Sequence, residues 1–139
     1  MSLYILDTDT LTLFNWNHPK VLQNILAHLR DEIAVTVISV EEQLSGWHRA
    51  LRQTKQTSQL TAVYQRMTET VASLRYFPIC SFTAGAGQRF DQLHQMKLGV
   101  KKMDLRIAAI ALESRGKVVT RNQRDFGRVP GLTIEDWSK

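Results

Sequence analysis

Short apolar runs, each closed abruptly by polar residues and separated by helix-length stretches, most constrain what this chain can fold into. The first run is Leu3-Tyr4-Ile5-Leu6, closed by Asp7-Thr8-Asp9-Thr10. Unbroken apolarity over so few residues reads as a strand buried on both faces, and the Asp/Thr cluster as a helix start. Residues 33–37, rich in β-branched side chains, read as a second strand. Residues 76–80 read as a third, 117–120 as a fourth and 132–134 as a short fifth. Between them, Pro19 is placed to open a helix carrying Val21, Ile25 and Leu29 at spacings of four. A helix is predicted from Ser39 through Leu44, Trp47 and Leu51. Another segment carries Leu60, Val63, Tyr64, Met67, Val71 and Leu74 at helical spacing. Residues 84–96 and 103–114 read as further helices, with Gly116 expected as the left-handed cap of the latter. Short buried strands alternating with helices predict a three-layer α/β fold, a central parallel sheet of four or five strands flanked by helices.

At 139 residues the chain is expected to form one domain over 1–139. Seven glycines and three prolines are too few for a collagen-like or linker-rich chain. The one cysteine, Cys80, lies in the apolar stretch Tyr76-Phe77-Pro78-Ile79-Cys80 and reads as a small buried hydrophobe rather than a nucleophile. A lone thiol makes no internal disulfide, which suits a reducing compartment. No apolar run approaches the roughly 20 residues that span a bilayer, and no secretory signal is visible. The expectation is a cytoplasmic protein with no membrane partner. Eighteen basic residues against 13 acidic give a net charge of +5, which favours polyanions and nucleic acid first.

In open parallel sheets, ligands bind outside the carboxyl ends of the strands. Asp7 follows the first predicted strand, Ser39-Val40-Glu41-Glu42 follows the second, and Thr120-Arg121-Asn122-Gln123-Arg124-Asp125 closes the fourth. Asp104 opens the helix that precedes the fourth strand. Asp7, Glu42, Asp104 and Asp125 can therefore converge on one rim. Clustered carboxylates raise one another's pKa values, and a divalent cation resolves the conflict. Mg²⁺ takes oxygen ligands, keeps several waters and suits phosphate chemistry. A basic surface around an acidic metal pocket is the arrangement a nuclease needs. Each acid also has a structural reading. Asp7 or Asp9 can cap the following helix, Ser39-x-x-Glu42 is a capping box, Asp104 suits a helix start, and Asp125 suits a turn.

Four stretches resemble the motifs of PIN domains, in particular the VapC-type toxin ribonucleases of bacterial toxin–antitoxin pairs. Ile5-Leu6-Asp7-Thr8-Asp9-Thr10-Leu11 resembles the opening motif, in which Asn or Ser is commoner than Asp at the position of Asp9. Ser39-Val40-Glu41-Glu42-Gln43-Leu44-Ser45-Gly46 is similar to the second, and its spacing to Ser39 and Gly46 selects Glu42 over Glu41. Asp104-Leu105-Arg106-Ile107-Ala108-Ala109-Ile110-Ala111 is close to the third, and Thr120-Arg121-Asn122-Gln123-Arg124-Asp125-Phe126 to the last. The resemblance implies a PIN-like fold and metal-dependent hydrolysis of RNA, with Mg²⁺ or Mn²⁺ held by Asp7, Glu42, Asp104 and Asp125. It implies supporting roles for Thr120 and Asn122. Asp9 is read mainly as a helix cap, or as a ligand acting through water. It further implies a homodimer and a cognate antitoxin whose basic side chain reaches the acid cleft.

Other residues suggest less. His18, His28, His48 and His94 have no metal-binding spacing. Trp47 is expected in the core, while Trp16 and Trp137 are open to base stacking as well. Arg49, Arg52 and Lys55 form either a solvated face or an RNA- or partner-facing stripe. Two rival functions stand beside the nuclease. One is an aspartate-nucleophile phosphohydrolase of the haloacid-dehalogenase type, with Asp7 as nucleophile and Asp9 as acid/base. The other is a non-catalytic PIN-like RNA-binding module.

Overall fold

The computed structural model describes residues 2–139. Its sheet has five strands in the order β3-β2-β1-β4-β5, every pair parallel. The strands are β1 (Leu3–Leu6), β2 (Glu32–Thr36), β3 (Ile79–Cys80), β4 (Lys117–Val119) and β5 (Ile134–Glu135). The helices are α1 (Thr8–Asn15), α2 (Pro19–Ala27), α3 (Val37–Gln53), α4 (Thr57–Ser73), α5 (Ala84–Gln95), α6 (Lys102–Ser114) and α7 (Gln123–Phe126), with a 3-10 turn at Leu74–Tyr76. The α/β architecture with a parallel central sheet is the one the alternating pattern predicts.

Strand alternation builds the two cores. Ile5 and Val118 face α5 and α6, packing with Leu93, Leu105, Ile107 and Phe126. Tyr4, Leu6, Val35 and Val119 face the other way, with Leu11, Phe77 and Trp137. Helix α6 suits its place because Ile107 through Ala111 are all buried. Small alanines let that helix lie close to the sheet, and neighbouring turns carry the bulk.

Several sequence expectations are corrected. Helix α3 begins at Val37, two residues before Ser39, because Thr36 caps it by accepting the Ser39 amide. The Ser39-x-x-Glu42 capping box is therefore not formed. Arg115, not Gly116, takes the left-handed cap of α6, at φ 59°. Gly116 is needed for space instead: a Cβ there would lie 3.0 Å from Ile5 and 3.2 Å from Leu3. The tryptophan buried deepest is Trp137, stacked on His28, while Trp47 is half-buried at a groove. Trp16 is 75% exposed. Cys80 is partly buried against the α5–α6 core, and that burial pushes its thiol pKa up, as expected of an inert packing residue.

The topology fixes where a ligand can sit. From β1 the chain moves outward through β2 to β3, then returns to lay β4 on the other side of β1. The crevice between the ends of β1 and β4 is the switch point of this sheet.

Candidate functional site

The five buried polar residues among those described are Asp7, Thr10, Thr36, Ser39 and Thr120. All lie at or just past the carboxyl ends of β1, β2 and β4. Burying polar groups there is tolerable only because they are bonded. The Thr10 hydroxyl donates to the Val119 carbonyl at 3.0 Å, and the Asn122 amide donates to the Thr120 hydroxyl at 2.9 Å.

Asp7 ends β1 and is the N-cap of α1, its Oδ1 accepting the Thr10 amide at 2.8 Å. The cap is therefore Asp7 and not Asp9, because the helix begins at Thr8. Capping does not exclude a further role, since one oxygen suffices for it. Burial pushes the Asp7 carboxyl above the ordinary range. Thr120 and Thr10 oppose this, and the nearby charge of Asp9 adds to it.

Glu42 lies one turn into α3, and its Oε1 accepts the Thr8 hydroxyl at 2.6 Å. The Thr8 oxygen is also 2.9 Å from Ser39 Oγ. Because Thr8 has one hydroxyl proton and gives it to Glu42, Ser39 must donate to Thr8. This relay ties α1 to α3 and fixes the Glu42 carboxylate. Glu41 points to solvent. Thr8 is thus a residue whose part the sequence did not reveal, since its partners lie 31 and 34 residues away.

Asp104 occupies the third position of α6, within the first turn, where a carboxylate also complements the helix dipole. Its carboxyl is pushed up to about 6, first by burial, then by the charges of Glu42, Asp7 and Asp125, with Lys101 opposing. The other three acids therefore all lie within electrostatic reach of Asp104. Asp125 is held by Asn122, whose Nδ2 donates to Oδ2 at 3.0 Å, and Arg128 approaches its other oxygen to 3.9 Å. Asn122 in turn caps α7 by accepting the Asp125 amide.

Asp9 is an exposed residue of the first turn of α1. Both its oxygens are taken by Arg121, from Nε at 2.7 Å and Nη2 at 2.8 Å. Among the described residues, no three His, Cys, Asp or Glu side chains lie close enough together to hold one ion directly. The four acids act on one another through the space between them rather than meeting at a point. Four mutually repelling oxygen donors around such a space suit a hard cation that keeps most of its water, as Mg²⁺ does. An open groove of about 850 Å³ starts at Thr8 and Glu42 and runs past Gly46, Trp47 and Trp16 toward α4. No heavy atom lies within 4 Å of the space a Cβ on Gly46 would fill, so glycine there widens the groove. No described helix is long and apolar enough to cross a membrane.

The model of the PIN domain family matches residues 4–132. Ribonuclease VapC2 of Rickettsia felis is 28% identical over 99% of each chain, and ribonuclease VapC1 of Haemophilus influenzae is 25% identical over the same share. Among solved structures, VapBC2 of Rickettsia felis bound to a DNA fragment from their promoter superposes with a TM-score of 0.81 at 23% identity. That match covers 97% of this chain and 98% of the other. DNA-bound VapBC from Salmonella typhimurium superposes with a TM-score of 0.82 at 22% identity, over 99% of each chain. At these identities the structural likeness speaks for the fold.

Proposed function

The chain belongs to the PIN domain family, and on that premise we propose that it is an Mg²⁺- or Mn²⁺-dependent endoribonuclease, the toxin of a VapBC-type toxin–antitoxin pair. The observation that carries this reading is the crowding of Asp104 by Glu42, Asp7 and Asp125 at the switch point of the sheet. A cationic protein that concentrates four acids at one rim is built to hold a cation against a polyanion. The curated relatives named ribonuclease VapC, matched over almost the full chain, support the reaction class.

In this reading Asp7, Glu42, Asp104 and Asp125 hold the metal. When bound, the ion supplies Lewis acidity toward the scissile phosphate. The chain's own part is to keep those oxygens in place. Thr8 orients Glu42, Asn122 orients Asp125, and the α1 cap fixes Asp7. Thr120 favours the ionised form of Asp7 against its burial. Asp104 retains its proton up to about pH 6 in the metal-free pocket and must release it to become a ligand.

The phosphohydrolase alternative needs Asp9 free as an acid/base, whereas Arg121 occupies both its oxygens. A cognate antitoxin is the expected protein partner, because the structural neighbours are VapBC complexes. A homodimer and a cytoplasmic setting belong to the same proposal. The test is cleavage of a single-stranded oligoribonucleotide with Mn²⁺. Internal cuts, silence on adding EDTA and recovery with excess Mn²⁺ are the expected results. Cleavage indifferent to EDTA, or none with either metal, contradicts the proposal.

A further inference from the structure

Arg121 is a surface arginine in an unusually defined setting. Its backbone follows Thr120, which is fully buried and whose amide donates to the Glu135 carbonyl at 2.8 Å. The next amide, of Asn122, is fixed on the Thr120 hydroxyl. Arg121 therefore rises from a rigid turn at the end of β4, beside the crevice. Its Nε and Nη2 donate to the two oxygens of Asp9. Both side chains are about half exposed, at 49% and 47%. An exposed pair of this kind contributes little to stability. What a two-point pair does supply is orientation.

Two of the five guanidinium N–H groups go to Asp9, and among the described residues no other acceptor takes the remaining three. The free Nη1–Nη2 edge is the second bidentate face of the group, and its geometry matches a phosphate. Asp9, which holds Arg121, stands two residues beyond Asp7 in the first turn of α1, and the charge of Asp7 is felt at the guanidinium. An RNA phosphate approaching four carboxylates meets repulsion unless a cation stands at the entrance. Lys101 and Arg128 also border the acids. Neither of them is held by a carboxylate at two points.

Resting on the nuclease reading, we propose that Arg121 is the phosphate clamp of this site. Its free edge binds a backbone phosphate of the RNA strand next to the acid rim, and Asp9 is the positioning residue that aims it. Asp9 then has a reason to be an aspartate: an asparagine offers one acceptor oxygen and no charge to hold the guanidinium square.

The experiment measures KM and kcat on a labelled single-stranded oligoribonucleotide with Mn²⁺, across a range of KCl concentrations. The proteins are wild type, Arg121→Ala, Arg121→Lys, Asp9→Asn and the Arg121→Ala/Asp9→Asn double variant, with Asp104→Asn as control. Arg121→Ala is expected to raise KM about ten-fold and to flatten the salt dependence of log KM by about 0.7, the share of one single-strand phosphate contact. Arg121→Lys keeps the charge and loses the fork, so KM rises about three-fold with the salt slope retained. Asp9→Asn raises KM by a similar factor and adds nothing once Arg121 is gone. A wild-type KM and salt slope in Arg121→Ala, or an Asp9→Asn effect undiminished in the double variant, overturns the clamp while the nuclease reading stands. No metal-dependent cleavage by wild type, or wild-type cleavage by Asp104→Asn, overturns the nuclease reading and the clamp with it.

Discussion

Asp104 is where the electrostatic cost of this site concentrates. Its ordinary pKa of 3.8 rises to about 6 in the folded, metal-free protein. Well below pH 3.8 the carboxyl is protonated in both folded and unfolded chains, and nothing is lost. As pH rises toward 6 the unfolded chain ionises first, so the folded state loses stability, fully above about pH 6. Asp104→Asn removes this penalty. In EDTA its melting temperature should exceed wild type by several degrees at about pH 7.5, and the gap should close near pH 4. A variant that melts below wild type at both pH values contradicts the assignment. At this scale the sequence was partly legible. The motif spacing singled out Glu42 over Glu41, and of the two Glu42 bonds Thr8 while Glu41 is exposed. It could not show whether Asp7 or Asp9 caps α1, because that turns on one residue of helix boundary. Thr8 and Arg121 stayed hidden because their partners are distant in sequence.

Helix α4 is the element that the chain's own fold accounts for least. None of its residues is buried, and Tyr64 and Val71 are about half exposed, at 51% and 50%. Tyr64 and Val71 lie seven residues apart, with Leu60 and Met67 continuing the same stripe. The proposed homodimer gives that stripe a partner. Light scattering at micromolar concentration should return twice the 15.9 kDa of one chain, and Tyr64→Glu with Val71→Glu should return one. A monomeric wild type contradicts this. Periodicity exposed the strands and helices because burial sets it. It began strand β3 at 76, whereas Tyr76 closes a 3-10 turn and the strand starts only at Ile79, past Pro78. It misplaced the cap of α6, because glycine is the usual left-handed residue and Arg115 takes that conformation here. Only the packing of Leu3 and Ile5 shows why Gly116 must be small.

Across the whole molecule, one topological fact organises the rest. The reversal of strand order beside β1 opens a crevice at Asp7 and Thr120, and the charges of Asp7, Glu42 and Asp125 all reach Asp104. Alternating strands and helices made a parallel sheet legible from sequence, and that sheet's carboxyl edge follows as the place to look. The strand order was not legible, since it depends on which strands pair and not on where each begins. The central claim is that the acids at this crevice hold a catalytic metal and do not merely support helix starts. Asp7→Asn keeps size and the cap of α1, and Asp104→Asn keeps size, while both remove ligand charge. The most direct measurement is Mn²⁺-dependent RNA cleavage by these two variants, with folding checked by thermal melting. A loss of about 100-fold or more in kcat/KM is expected for each, with melting temperatures at or above wild type. Wild-type cleavage rates in both folded variants would contradict the claim.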